Sequence, residues 1–385
     1  MPPISPEMLL AGPRGRRLLL EFARSSEQQL RDPEDRAFSV AEFWASYRMA
    51  PKASRGSLFG DSTEPTPTVL PADVAHVLSE TPLLEPTEEN LRPALADAAA
   101  HARYWQEPEG TDVLAATVEL DEPLHRIAEH LAAGPAVGQW LEPVQLDDQH
   151  VVHWYAEESP TVRPDVPQML EGARQQTLQD EVRWNSRRYT SITSNFSADW
   201  WSFPHVSGHA LLTSTGTFSD GSPSGLWWVE DAFDWDTAST YRLELPEGAE
   251  ELRLLEISDP QVWAELCARY PLEVTYQKRH DWYRATGRDG RWVIPDWRQV
   301  ARDYDGVHLT TACYLQAAGE PIAVPWANAS MEPRGVKTAT AEFASIIAGW
   351  NPDQTYWFSA QPTISGDALR WWMDDHAAWH REESR

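Results

Sequence analysis

An α+β fold is predicted for this 385-residue chain on three observations. Helical periodicity dominates up to about residue 137. Short apolar and β-branched runs take over after about residue 138. Those runs follow one another strand after strand with only occasional helices, which is not the regular alternation of a doubly wound sheet. The length exceeds what one core usually serves. The predicted organisation is a helical domain over residues 1–137 and a Trp-rich mixed-sheet domain over residues 138–385.

The elements follow from local signals. Met8, Leu9 and Leu10, then Leu18, Leu19, Leu20 and Phe22, are split by Gly12-Pro13-Arg14-Gly15, which predicts two helices with a tight basic turn. Ser39 and Glu42 have the capping-box spacing for a helix to Tyr47. Residues 51–90 are rich in Pro, Ser and Thr, and Pro65 to Thr68 within them reads as an exposed loop. Asn90 then caps a helix from Leu91 to Gln106, with Leu91, Leu95, Ala98, Ala102 and Trp105 on one stripe. Pro123 to Ala133 forms another helix. Strands are expected at 150–155, 209–215, 226–230, 240–245, 252–257, 291–294, 307–311 and 355–359. Pro260 to Tyr270 is a helix begun by Ser258 or Asp259, Asp296 caps Trp297 to Tyr304, and residues 367–382 read as a final helix.

Composition excludes several classes. With 32 Lys+Arg against 59 Asp+Glu, the net charge is −27. That opposes non-specific nucleic-acid binding and adhesion to anionic membranes. No apolar run is long enough to span a bilayer, and the Met1 to Pro6 start lacks a signal-peptide pattern. Two cysteines, Cys267 and Cys313, make no disulfide framework, so a reducing cytoplasm is expected. Twenty Trp residues supply ring surfaces for cores or for ligands.

One window reverses the charge. From Pro271 to Arg302 seven basic residues face four acidic ones, with Trp282, Tyr283, Trp292 and Trp297 between them. Arg284 and Arg291 are its candidate anion ligands, and an anionic, ring-bearing ligand such as a nucleotide suits the pattern. The alternative is arginines paired with the surplus carboxylates over an aromatic core. His376 and His380 stand four apart beside Asp374 and Asp375, but no third ligand or general base accompanies them, and no metal is expected. Neither a G-x-S-x-G elbow nor a phosphate-binding glycine loop is present. With 59 acids the sequence chooses no carboxylate pair for sugar chemistry; Glu230, Asp231 and Asp234, among Trp227, Trp228, Phe233 and Trp235, are candidates, with turn residues as the alternative.

From Ser207 onward the order of motifs resembles a group of bacterial proteins remotely similar to ADP-ribosyltransferases. The motifs are Gly208 to Thr215, Tyr241 to Pro246, Leu252 to Ile257 with Ser258-Asp259-Pro260, Asp303 to Thr310, and Gly349 to Phe358. The resemblance spans about residues 185–360. It implies NAD as cofactor, an early-strand Arg at Arg188 or Arg187, a hydroxyl strand at Thr213, Ser214 and Thr215, and a catalytic carboxylate on a late strand. The family's Glu is absent there, so either Asp353 or Glu230 takes its role, or the chain is not a transferase. Arg188 and the arginines of the 271–302 window would clamp the pyrophosphate, and Trp200, Trp201 or a ring of that window would stack on the nicotinamide. A nucleotide is the expected ligand. A rival reading is an acidic, non-enzymatic immunity or inhibitor-like protein that covers a basic partner, its capture screened by salt.

Overall fold

The computed structural model describes residues 4–51, 67–154, 165–186, 191–206, 211–232, 235–246, 248, 251–325, 342–359 and 362–382. Helices fill the first part: α1 (Pro6–Ala11), α2 (Pro13–Leu30), α3 (Ala37–Met49), α4 (Pro71–Ser79), α5 (Glu88–Ala100), α6 (Gly110–Ala115), α7 (Asp121–Ala132) and α8 (Pro135–Gly138). Strands then alternate irregularly with helices: β1 (Gln149–Trp154), α9 (Val166–Ser186), β2 (Thr213–Ser214), α10 (Ser224–Trp227), β3 (Thr237–Glu244), β4 (Leu254–Ile257), α11 (Pro260–Arg269) and β5 (Pro271–Glu273). The chain continues through α12 (Thr275–Thr286), β6 (Arg291–Pro295), α13 (Trp297–Asp303), β7 (Gly306–Leu309), α14 (Thr311–Ala317), β8 (Ile322–Val324), β9 (Phe343–Ser345), β10 (Gln354–Trp357), β11 (Thr363–Met373) and β12 (Trp379–Arg381). Helices lie mainly before residue 140 and sheets after it, so the fold is α+β as expected.

Among the described residues the strands form three four-stranded sheets, ordered β1-β3-β11-β12, β2-β10-β7-β4 and β5-β6-β9-β8. The first is antiparallel throughout. The second pairs β4 with β7 in parallel, and the third pairs β6 with β9 in parallel. In the second sheet His308 of β7 and Ser214 of β2 both register opposite Thr355 of β10. One apolar cluster runs from Leu9, Leu18 and Phe22 of the helices to Trp263, Trp292 and Trp350.

The break at Gly12-Pro13 is real. Pro13 opens α2, where its missing N–H is no loss. A Cβ on Gly12 would come within 2.4 Å of the Gln316 carbonyl oxygen, so glycine lets the helix start seat on α14. The basic residues beyond it turn inward: Arg14 pairs with Asp112 at 2.6 Å and Arg17 with Glu21 at 2.5 Å.

Several expectations are corrected. α3 starts at Ala37, so Ser39 is not its cap. Glu27 of α2 serves instead, accepting from Phe38 N and Ser39 N at 2.8 Å and from Ser39 Oγ at 2.7 Å. α5 is capped by Thr87, whose hydroxyl accepts from Asn90 N, and it ends at Ala100. Trp105 therefore leaves the stripe, and its indole donates to Asp231 at 3.0 Å. Residues 226–230 are not a strand. Ser224 N bonds the Gly216 carbonyl and starts the single turn α10. Residues 367–382 are not a helix but the β11–β12 hairpin. Asp374 makes its turn by accepting from the backbone of His376 and Ala378, each at 2.9 Å. Trp371 and Trp379 pack together with Leu226 and Ala238, so burial against β3 overrode local helix preference. The long helix α9 carried no sequence-based expectation. The cationic window was read for its charge, and it contains the helix α12.

Candidate functional site

A cleft lies where β7 and β10 meet the N-terminal helices. Its cavity measures about 200 Å³. Asp353 sits at its floor, on the loop that feeds β10. Two features aim this loop. Gly349 takes φ +76°, and a Cβ there would come within 2.8 Å of Trp201 Cβ. Asp353 itself takes φ +58°, a left-handed conformation that a non-glycine residue adopts only when its surroundings hold it.

Those surroundings are polar. Oδ2 of Asp353 accepts from Ser224 Oγ at 2.6 Å and from Gly216 N at 3.1 Å. Oδ1 lies 3.8 Å from His308 Nε2. On the other side of the ring, His308 Nδ1 is 2.9 Å from Thr355 Oγ1, the contact that the β7–β10 register dictates. Burial raises the Asp353 carboxyl to about 6 and lowers His308 to about 3. At neutral pH the imidazole is uncharged and the carboxyl is mostly ionised, so the pair is not a salt bridge. About a quarter of the Asp353 side chain, 26%, remains open, which leaves the carboxylate accessible from the cleft.

The walls are aromatic and acidic. Trp140, Phe218 and Trp228 contribute rings, and Glu88, Glu142 and Asp148 add carboxylates. Asp148 is held by Thr217, whose N–H and hydroxyl both donate to its Oδ2. Arg92 is the cation of this lining. Its guanidinium is already engaged by Glu88 at 3.1 Å and Asp220 at 2.6 Å, and it lies 4.1 Å above the Phe218 ring. The arrangement does not form a nucleophilic triad, because Ser224 donates to a carboxylate rather than to an imidazole. It can accept hydrogen bonds from ring hydroxyls and stabilise positive charge.

The other expected site residues are dispersed. Glu230 does not line this cleft. Its backbone N–H donates to Asn351 Oδ1 at 2.8 Å, tying its loop to that of Asp353. Its carboxyl is buried near Tyr104, Tyr314 and Arg14, neither oxygen has a hydrogen bond of good geometry, and burial raises its pKa well above the carboxylate range. Ser214 is enclosed, donating to Gln149 Oε1 at 2.6 Å and accepting from Trp357 Nε1 at 2.8 Å. Arg187 and Arg188 lie outside the described residues, as do Gly208 to Ala210 and Asp234.

The arginines of the cationic window work mainly as staples. Arg284 donates to the carbonyls of Trp105 and Phe196 and pairs with Asp281. Arg291 grips Glu273 with two bonds, of 3.0 and 2.7 Å, and lies 4.2 Å above the Phe343 ring. Trp282 and Trp292 are fully buried. Trp201 lines a second, smaller pocket that also receives Lys278, and it packs against His205 at 4.6 Å. His376 and His380 belong to the hairpin, with His380 Nε2 2.7 Å from Asp374. Among the described residues no group of three side chains could hold a metal.

Asp148, Ser224, His308 and Lys278 were not singled out from the sequence as site residues. For the first three no local signal existed, since they and Asp353 converge from four separate segments. Lys278 did carry one: the chain has three lysines, at 52, 278 and 337, among its 32 cationic residues. Comparison with protein-family models, with curated proteins and with solved structures returns no match for this chain.

Proposed function

We propose that the cleft over Asp353 binds the nicotinamide–ribosyl end of NAD, and that the protein acts as an ADP-ribosyltransferase-like enzyme with Asp353 as its carboxylate. The observation that carries this reading is a single one: a largely buried, strained carboxylate at the floor of an acidic, aromatic-walled cleft. Its size supports a partial ligand. A cavity of about 200 Å³ falls below the roughly 300–1,000 Å³ of sites that enclose whole cofactors, and suits one ring system with its sugar.

Charge supports the same end of the molecule. The nicotinamide ring of NAD is cationic, and Glu88, Glu142, Asp148 and Asp353 against one paired Arg92 favour a cation. Indole faces add cation–π attraction. The diphosphate would remain outside. In this reading Asp353 accepts from a ribose hydroxyl and stabilises the positive charge that develops as the glycosidic bond opens. His308, uncharged, holds Thr355 and packs beside the carboxylate without competing for it as an ion pair.

Titration calorimetry with nicotinamide riboside, NAD and ADP-ribose tests this. The riboside and NAD should bind, and ADP-ribose, lacking the cationic ring, should bind more weakly. Asp353→Asn should weaken riboside binding about 10- to 100-fold, the cost of losing one charged hydrogen bond. Equal affinity for all three ligands, or an unchanged affinity in the variant, would refute the reading. In that case, capture of a basic protein partner that fades with salt would favour the acidic, non-enzymatic interpretation.

A further inference from the structure

The second pocket carries an inference independent of the Asp353 cleft. It lies between α9, the segment 199–205 and the window 272–298, and measures about 50 Å³. Lys278 of α12 reaches into its lining. This lysine is 2% exposed, its Nζ donates to the Asp199 carbonyl at 2.5 Å, and it stands 5.7 Å from the Trp282 ring centroid. Among the described residues it forms no ion pair.

The choice of residue matters. Where this chain needs a fixed cation it uses arginine, as at 284 and 291. Arginine keeps its charge under burial, whereas a buried lysine gives up its proton readily. Burial lowers the Lys278 ammonium to about 8, against the opposing pull of Asp199, Asp281 and Glu181. Trp201, Phe203 and His205 close the pocket on the other side, and burial likewise lowers His205, so that the imidazole is neutral. Arg174 and Arg298 stand at the same pocket; Arg174 pairs with Asp296 at 2.8 Å and more loosely with Glu171 at 3.8 Å, and Arg298 lies 3.6 Å from Glu171. A buried lysine that gives up its proton near pH 8, an apolar wall and two guanidinium groups form a site for a small carbonyl compound that carries an anion.

We propose that Lys278 is a carbonyl-reactive lysine that forms an imine with a small aldehyde or keto acid held in this pocket. The amine lone pair of Nζ attacks the carbonyl carbon, forming the C–N bond. The carbonyl oxygen takes up a proton, giving a carbinolamine. That hydroxyl then leaves as water while the nitrogen gives up a proton, so aldehyde plus amine becomes imine plus one water, with no oxidant or reductant consumed. The pocket volume limits the partner to a few heavy atoms. The guanidinium groups of Arg174 and Arg298 would receive its carboxylate.

The test uses the full chain and glyoxylate with cyanoborohydride, which reduces an imine to a stable amine, followed by peptide mapping. With three lysines in the sequence the comparison is simple. Lys278 should be labelled at least about tenfold faster than Lys52 or Lys337, because its lowered pKa exposes more free amine at neutral pH. Its labelling rate should reach half its maximum near pH 8. Propionaldehyde, which lacks the carboxylate, should react more slowly at Lys278 and equally at the other two lysines. Lys278→Arg should abolish the fast label. The wild-type map keeps the test valid if that variant fails to fold. Equal rates at all three lysines, or labelling of Lys278 only in denaturant, would overturn the proposal.

Discussion

The Asp353 cleft and the 271–302 window are opposites. The window is where charge and rings concentrate in the sequence, and the fold uses most of them internally. Its arginines bond to carbonyls and carboxylates of neighbouring segments, and its tryptophans Trp282 and Trp292 fill the core. The cleft draws on residues that are unremarkable one by one, yet it gathers Asp353, His308, Ser224 and Asp148 around an open volume. Density of interesting residues in sequence therefore marks a packing region here. Convergence in space marks the site. Lys278 is the one lysine of the window, and its ammonium is bonded to the Asp199 carbonyl.

Three changes would break or sharpen that contrast. Trp282→Ala should have the largest effect, destabilising the fold by about 3–5 kcal/mol in chemical denaturation, the usual cost of emptying a buried indole site. If the window were a ligand surface instead, stability would barely move and ligand affinity would fall. Arg291→Ala should cost about 1–3 kcal/mol, because Glu273 loses both bonds from Arg291 in a half-buried pair and keeps only that from the Thr275 hydroxyl. Its affinity for nicotinamide riboside should equal that of the wild type. A loss of affinity without a loss of stability would return Arg291 to the ligand-binding set.

The third change is smaller and runs the other way. Asp353→Asn should stabilise the fold at pH 7 by about 1–2 kcal/mol, a figure kept low because a quarter of the side chain meets solvent. The sign follows from proton binding. The folded carboxyl sits at about 6 against an ordinary 3.8, so the native state holds the extra proton between those values, and stability falls as pH rises through that window. The gap between variant and wild type should therefore close as pH is lowered to about 4. His308 acts in the opposite sense. Its folded value of about 3 against 6.5 means that stability is lost as pH falls from 6.5 toward 3. In the variant that slope should stand alone. Urea denaturation of both proteins at several pH values would show whether the carboxyl-linked and imidazole-linked slopes separate as stated.

Read residue by residue, the sequence alone was enough for the class of fold and for elements whose cause is local. The break at Gly12-Pro13 and the helix opened by Asp259-Pro260 are examples: a proline at the first helical turn and an acceptor before it act within a few residues, so no distant partner is needed. Charge, the lack of phosphate loops and the lack of a long apolar run are equally local; among the described residues no helix is long and apolar enough to cross a membrane. What lay beyond the sequence depended on long-range partners. Glu27 took over the capping of α3 from eleven residues away, and pairing with β3 turned residues 367–382 from a predicted helix into a hairpin. The two predicted carboxylates look alike in sequence, yet Glu230 is enclosed beside Tyr104 and Tyr314 while Asp353 opens onto a cleft. Only tertiary structure separates them, because burial and neighbouring charge set the protonation state of a carboxyl, and both are properties of the packed chain rather than of the residue.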